Sequence, residues 1–114
     1  MTERWSTMVF NTGSALLDAI VLSVVSRDVN GTYGYRITQE VRAVLDISES
    51  TLYPVLRRLL KDECLETYDM AIDGRNRRYY RITGSGRLQL NLYRGEWNVY
   101  AQKISGILEE KDHE

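Results

Sequence analysis

Cysteine, histidine and proline are almost absent from this sequence of 114 residues. Cys64 is the only cysteine and His113 the only histidine, which excludes a disulfide within the chain and a zinc site built from both residue types. No Ser/His/Asp arrangement or phosphate-binding loop occurs, so we predict that the protein is not an enzyme. We also expect no metal and no cofactor, and Cys64 is most simply a small buried residue.

Long apolar runs and a strong charge of either sign are missing as well. No run of about 18 apolar residues occurs, and the N-terminus has no basic segment that leads into an apolar one. We therefore expect a cytoplasmic protein without membrane contact. The formal net charge is -1, so any nucleic-acid binding has to come from a local basic patch. The length and the hydrophobic content of 43% fit one compact domain.

Residues 48–60, SESTLYPVLRRLL, have the pattern of a helix with one apolar and one basic face. Leu52, Leu56 and Leu59 recur at the spacing of a helix that packs on one side, and we predict this helix at about 50–62. The opposite face begins with short hydroxyls and continues with cations, a combination that suits base edges and phosphates. At this point an ordinary solvated basic face is the alternative.

Two further helices are predicted before this one. Residues 14–27 are apolar around most of the helix circumference, so this helix has to be covered on several sides. Its Asp18 is either buried, where it has to be paired or to face water or a cationic ligand, or exposed on a polar strip. Residues 34–45 carry apolar side chains at helical spacing and are followed by a brief linker. Together with the next helix they have the outline of a helix-turn-helix, in which the later helix reads DNA.

After the third helix the apolar period changes from helical to alternating. This change predicts two strands at about 65–72 and 77–83, joined by a tight turn at 73–76. Between residues 73 and 87 the chain has five arginines and one acidic residue, so the hairpin is a local positive patch. A basic hairpin directly after a helix-turn-helix predicts a wing whose arginines reach phosphates or the minor groove.

The last helix is predicted over 84–110, with a frayed acidic tail at 111–114. About 25 residues of helix at 1.5 Å per residue are about 38 Å long, which is more than a domain of this size requires. Apolar and aromatic residues recur along it in alternating steps of three and four, which is typical of a seam that packs on a partner. Trp97 in this seam either fills a dimer core or binds a flat aromatic ligand. Residues 1–11 contain Trp5, Met8, Val9 and Phe10, so this segment either packs back on the body or joins an interface.

Three segments of the sequence resemble the PadR family of bacterial transcriptional regulators. They are YGY at 33–35, TLYPVLRRL at 51–59 and GRNRRYYRITGSGR at 74–87. The resemblance implies a winged helix-turn-helix domain followed by a C-terminal dimerisation helix, in a ligand-responsive repressor. The single terminal helix is similar to that of a small subgroup, which includes a lactococcal multidrug-sensing regulator.

In that regulator planar drugs stack between two tryptophans at the dimer centre, and Trp97 occupies the matching position. The resemblance therefore implies a ligand site with aromatic walls on the last helix and small or acidic residues on the first. Its residues are Trp97, Tyr93, Tyr100, Ala15, Asp18 and Ala19. The side chains of residues 98–100 can also fill this space themselves.

We predict a mainly α-helical fold with a small β-hairpin, in which a winged helix-turn-helix domain at 1–83 precedes one long dimerisation helix at 84–110. The predicted function is that of a homodimeric repressor, which binds a roughly palindromic operator in double-stranded DNA and is released by a small effector, such as a planar aromatic compound. The residues expected to contact DNA are Ser48, Ser50, Thr51, Tyr53, Arg57, Arg58, Lys61, Arg75, Asn76 and Arg77. The alternative is a protein-interaction module of the same fold, whose basic wing binds an acidic partner.

Overall fold

The computed structural model of the protein describes residues 13–109. In this part of the chain the elements follow one another in the order α-β-α-α-β-β-α. The helices are α1 (Ser14–Ser26), α2 (Gly34–Arg42), α3 (Glu49–Lys61) and α4 (Gly84–Leu108). The strands are β1 (Thr32–Tyr33), β2 (Leu65–Ile72) and β3 (Arg75–Ile82). The expectations for residues 1–11 and for the tail at 111–114 lie outside the described residues.

Helix α1 lies at the centre of the fold because apolar residues occupy most of its circumference. Val21, Leu22 and Val25 are completely buried, and the helix packs against α2, α3, α4 and β3. The surrounding core takes apolar side chains from every described helix and from both long strands. Its members are Val21, Leu22, Val24, Val25, Ile37, Val41, Leu52, Val55, Leu56, Leu59, Cys64, Leu65, Ile82 and Leu90. The prediction that α1 is covered on several sides is confirmed.

Helices α2 and α3 form the helix-turn-helix, and α2 is shorter than predicted. Its regular part ends at Arg42 rather than at residue 45. Beyond Arg42 the amides of Val44 and Leu45 both donate to the Val41 carbonyl, at 3.0 and 2.9 Å, which closes the helix with a tight turn. Leu45 packs on the core, whereas Val44 is exposed. The apolar spacing thus continues past the last regular turn, which explains the overestimated length.

The apolar face of α3 is buried, as its spacing predicts. The buried residues are Leu52, Val55, Leu56 and Leu59. Pro54 lies inside this helix and has no amide hydrogen to donate to the preceding turn. The first turn is tightened, because the amides of Thr51 and Leu52 both donate to the Ser48 carbonyl, at 3.1 and 3.3 Å.

The hairpin of β2 and β3 turns more tightly than predicted. Only Asp73 and Gly74 lie in the turn, and their φ angles of 52° and 77° are those of a two-residue type I′ turn. The predicted turn at 73–76 and the predicted strand at 77–83 are therefore corrected, since β3 begins at Arg75. The sequence is compatible with a turn of two residues as well as with the predicted turn at 73–76, because aspartate also tolerates a positive φ.

A third strand, β1, adds to the two predicted ones. Thr32 and Tyr33 pair in antiparallel fashion with Tyr80 and Tyr79 of β3, which gives the sheet order β1-β3-β2. A strand of two residues is too short to produce an alternating pattern in the sequence. Its consequence is that the segment in front of α2 is fixed to the wing.

Helix α4 begins against the body of the fold. The Thr83 hydroxyl accepts a hydrogen bond from the Gly86 amide at 2.9 Å and donates one to the Glu63 carbonyl at 2.7 Å. This cap satisfies an amide of the first turn and ties the helix start to the end of α3. One turn further on, Leu90 is buried in the core.

The far end of α4 extends beyond the rest of the fold. Ile107 and Leu108 are 77% and 76% exposed, and the longest dimension of the described chain is 67 Å. The helix predicted at 84–110 is observed over Gly84–Leu108. The mainly α-helical fold with a β-hairpin and a long C-terminal helix is therefore confirmed.

Candidate nucleic-acid interface

The exposed side of α3 carries hydroxyls at its start and cations towards its end. Ser48, just before the helix, and Ser50 and Thr51 in its first turn are exposed, and the Ser48 hydroxyl oxygen lies 3.0 Å from each of the other two. Arg57 and Lys61 follow on the same side, and no ion pair within residues 13–109 engages either of them. Because the opposite side is buried, the helix presents these groups outward.

Tyr53 lies at the margin of α3, between this helix and the wing. A Cβ placed on Gly34 would lie 3.6 Å from Cε1 of Tyr53 and 3.5 Å from Cε1 of Tyr80, so both rings lie against the start of α2. Burial raises the pKa of Tyr80, and nearby Arg78 and Arg57 act in the opposite direction. The Tyr53 ring therefore lies near the Tyr80 ring of the wing, and cations from both elements flank Tyr80.

Side chains alternate along β3, so the arginines of the wing are divided between its two faces. Asn76 and Arg78 share the face of Tyr80, which is directed towards α3. Arg75 and Arg77 lie on the opposite face. Arg78, which the predicted interface does not include, thus lies on the α3 side of the wing. The same alternation that predicts the strand could have identified it.

The opposite face of the sheet is covered by tyrosines. The ring centroid of Tyr79 lies 5.7 Å from that of Tyr33 and 5.6 Å from that of Tyr68. The guanidinium of Arg77 lies 4.6 Å above the Tyr33 ring, and that of Arg81 lies 4.8 Å above the Tyr68 ring. Ring packing and cation–π contacts of this kind stiffen the wing and fix its angle to β1.

Arg58 differs from the other cations of α3. Its guanidinium binds the carboxylate of Asp18 in α1, and the hydroxyl of Tyr93 in α4 donates to the same carboxylate over 3.2 Å. Asp18 is only 6% exposed, so it is paired in the interior and does not lie on a polar strip. Arg58 is directed towards α1 and away from the side that carries Arg57 and Lys61.

A groove of about 500 Å³ lies between α1, α2 and α4. Its lining is mainly apolar and contains three of the residues predicted to bind a ligand, which are Ala19, Tyr93 and Trp97. Three charged residues also line it, namely Arg27, Glu40 and Arg94. The groove therefore has an aromatic wall on α4 and a mainly aliphatic wall on α1.

The other three predicted ligand residues lie elsewhere. Ala15 is buried, Asp18 is engaged by Arg58, and neither lines the groove. The ring of Tyr100 lies 6.2 Å from that of Trp97, one turn further along α4 and outside the lining. Three of the six predicted ligand residues thus line the groove within one chain, whereas Asp18 and Tyr100 contact lining residues from outside it.

Groups that would indicate metal or thiol chemistry are not assembled in the described residues. Within residues 13–109, no cluster of three or more His, Cys, Asp and Glu side chains could hold a metal ion. Cys64 is buried, and burial raises the pKa of its thiol, so it is a packed core residue. No helix in this range is long and apolar enough to span a bilayer.

Comparison with known protein families identifies the chain. The Transcriptional regulator PadR-like family matches residues 21–92, which is more than half of the sequence. The chain belongs to the PadR-like family. The matched segment contains the helix-turn-helix, the wing and the first part of α4, so the exposed face of α3 and the wing lie in the part of the chain that defines the family.

The PadR-like chain is similar to relatives of known sequence and structure. It is 38% identical over 78 residues to a transcriptional regulator of Mycobacterium tuberculosis, an alignment that covers 68% of this chain and 73% of the relative. A crystal structure of a Streptococcus mutans protein matches with a TM-score of 0.78 at 37% identity, over 93% of this chain and 96% of that one. A PadR-like transcriptional regulator from Bacillus cereus matches with a TM-score of 0.77 at 25% identity, over 88% and 98%.

These similarities confirm the predicted PadR family and the winged-helix fold with its long C-terminal helix. Members of the PadR-like family are transcriptional regulators, so the predicted regulatory function is confirmed at that level. The family match ends at residue 92, before Trp97. The relation to the multidrug-sensing subgroup stays a prediction.

Proposed function

We propose that this PadR-like protein is a DNA-binding repressor that acts as a homodimer. The observation that carries the proposal is the outward face of α3, where hydroxyls at the first turn and cations further along are presented by a helix anchored in the core. Short polar groups near the start of such a helix can approach base edges, and cations further along neutralise phosphates. The basic wing beside α3 extends this surface along the DNA backbone.

The side chains have different roles in this proposal. Ser50 and Thr51 contact base edges or fix the register of the helix in the major groove, and Arg57 and Lys61 contact phosphates. Tyr53 holds the wing at its angle to α3. From the wing, Arg75 at the turn and Asn76, Arg77 and Arg78 along β3 reach the flanking DNA.

The apolar surface of α4 supports a dimer. Large apolar side chains are exposed along the whole helix. They are Leu88, Leu92, Trp97, Val99, Ile107 and Leu108. A second copy of α4 would remove these groups from water. Trp97 and Ile107 also belong to the series that recurs in steps of three and four along the helix, a spacing that suits helix pairing. A two-fold dimer places its two α3 helices in successive major grooves, so the operator is roughly palindromic, with half-sites about 34 to 36 Å apart.

The groove between α1, α2 and α4 is the proposed effector site. Its volume of about 500 Å³ lies in the range of small-molecule sites, and Trp97 and Tyr93 offer flat aromatic surfaces. In the dimer, α4 of the second copy closes one side of the groove. Asp18 is neutralised by Arg58, and Arg27 and Glu40 form an ion pair with each other at 3.7 Å, so the charge preference of the site comes mainly from Arg94.

Footprinting on the DNA upstream of the protein's own gene tests this function. We expect protection of two symmetric half-sites and loss of that protection on addition of planar aromatic compounds. A folded dimer that protects no DNA at physiological salt would contradict the proposal and favour the protein-interaction module, in which the basic wing binds an acidic partner.

A further inference from the structure

Three helices meet at the carboxylate of Asp18. This residue lies in α1, and its two oxygens accept hydrogen bonds from different helices: one from Arg58 of α3, the other from the Tyr93 hydroxyl of α4 over 3.2 Å. Asp18 is 6% exposed, and a carboxylate at such a place is tolerated only when it is paired and hydrogen-bonded. Both partners are therefore held in fixed orientations relative to α1.

The pairing gives Arg58 a different environment from Arg57, its neighbour in the sequence. The Arg58 side chain is 39% exposed and its charge is balanced by Asp18, whereas Arg57 is exposed and engaged in no ion pair within the described part of the chain. A cation that is already neutralised adds little to the attraction of phosphates. A contribution of Arg58 to DNA binding thus has to come through the orientation of α3.

Tyr93 connects the same network to the groove. Its ring lines the groove together with Trp97, which lies one turn further along α4, while its hydroxyl reaches Asp18. A molecule bound in the groove therefore contacts a ring whose polar end holds the Asp18 carboxylate. Displacement of that ring breaks the link between α4 and the Asp18–Arg58 pair.

We propose that Asp18 is a positioning residue that couples α4 to the DNA-reading helix α3 through Tyr93 and Arg58. Arg58 is then a part of this link and not a phosphate contact. The inference rests on the proposed function, in which α3 contacts DNA and the groove takes the effector. It adds the path by which a change at the groove alters the angle of α3 and hence the spacing of the two reading helices in the dimer.

The test compares binding of the full-length chain to two duplexes as a function of salt concentration. One duplex carries a site that the wild-type protein selects from a random-sequence pool, and the other has the same composition in scrambled order. The variants are Tyr93→Phe, which removes only the hydroxyl, Asp18→Asn and Arg58→Gln, with Arg57→Gln as the matched control. Circular dichroism and the oligomeric state establish that each variant is folded under the binding conditions.

Tyr93→Phe and Arg58→Gln are each expected to reduce the preference for the selected duplex by about 2- to 30-fold. In both variants the slope of log affinity against log salt stays at the wild-type value. Arg57→Gln lowers the magnitude of that slope by about 1, on both duplexes, because it removes one phosphate contact. The double variant of Tyr93 and Arg58 loses less than the product of the two single losses, because both changes break the same network. If Asp18→Asn does not fold, the result for Tyr93→Phe tests the coupling between α4 and α3 by itself.

Two results would overturn the inference. One is an unchanged preference for the selected duplex in Tyr93→Phe, and the other is a slope change in Arg58→Gln equal to that in Arg57→Gln. If the wild-type protein selects no site from the pool, the proposed function itself is wrong and the coupling falls with it. If, in contrast, the wild-type protein selects a site that Tyr93→Phe binds with the same preference, that result contradicts only the coupling and leaves the proposed function intact.

Discussion

Gly86 lies so close to Cys64 that a Cβ on the glycine would be 2.1 Å from the Cys64 carbonyl oxygen. The contact presses the first turn of α4 against the connection between α3 and β2. Together with the Thr83 cap, it fixes where α4 leaves the body. The position of the exposed apolar surface of α4 relative to α3 therefore depends on this approach.

The change Gly86→Ala is expected to lower the free energy of unfolding by about 3 kcal/mol or more, because the new methyl group overlaps a backbone oxygen that cannot move aside. Gly84→Ala is the matched control in the same turn, since a Cβ there meets nothing within 4 Å. It should change stability by no more than about 1 kcal/mol, in the stabilising direction. Urea unfolding at equal protein concentration measures both, and equal effects would contradict the close approach.

Arg78 shares the face of Tyr80 on β3, so its side chain lies on the α3 side of the wing. Arg78→Ala should weaken binding to specific and non-specific duplexes alike and lower the salt slope by about 1. Arg75→Ala, at the turn, should have a similar effect. Lys103→Ala on the exposed part of α4 is the control and should leave both affinity and slope unchanged. Fluorescence anisotropy over a series of salt concentrations measures the slopes, and wing variants that behave like the control would rule out a DNA contact by the wing.

Tyr93 makes a prediction for alkaline pH. Burial, and secondarily the charge of Asp18 and its hydrogen bond, raise the pKa of Tyr93 from 10 to about 12. The folded state thus holds the phenolic proton more tightly than the unfolded state, so this contribution to stability is complete below pH 10 and is lost between pH 10 and 12. Across that interval the free energy of unfolding should fall more steeply for the wild-type protein than for Tyr93→Phe. Parallel curves in urea unfolding would show that the Tyr93 proton does not stabilise the fold.

Trp97 makes a prediction for effector binding. In a Trp5→Phe background, planar aromatic compounds that release DNA should change the Trp97 emission, because the indole lines the groove. Trp97→Ala should abolish the response to these compounds without abolishing DNA binding, which is measured at a protein concentration that keeps the variant dimeric. DNA release without any change in Trp97 emission would place the effector site elsewhere.

The sequence predicted the elements whose signals are local. The buried leucines of α3 and the alternation along β2 each repeat within a few residues, so their periods are visible in the chain. Thr32 and Tyr33 form a strand too short to have a period, and the end of α2 was obscured because Leu45 still packs on the core. Arg78 was identifiable, since its register with Tyr80 follows from the strand itself.

The candidate site was predictable only in part, because its contacts join distant segments. Asp18 binds Arg58, which is 40 residues away, and Tyr93, which is 75 residues away. The helical period places Arg57 opposite the buried leucines and Arg58 at the margin of the basic face, but only the packing of α1 against α3 and α4 shows that Arg58 is paired with Asp18. The groove likewise joins segments that are distant in the sequence, since its walls depend on the angle between α1 and α4.

The most direct test of the account is affinity cleavage from the exposed face of α3. An iron chelate attached to Ser50→Cys labels a single exposed position, because the native Cys64 is buried. On the operator we predict strand breaks inside both half-sites, symmetric about the operator centre and consistent with attack from the major groove, whereas the same label at Lys103→Cys should cut no operator DNA. Cleavage by Ser50→Cys that is absent, or that falls outside the footprint, would contradict the claim that α3 reads DNA.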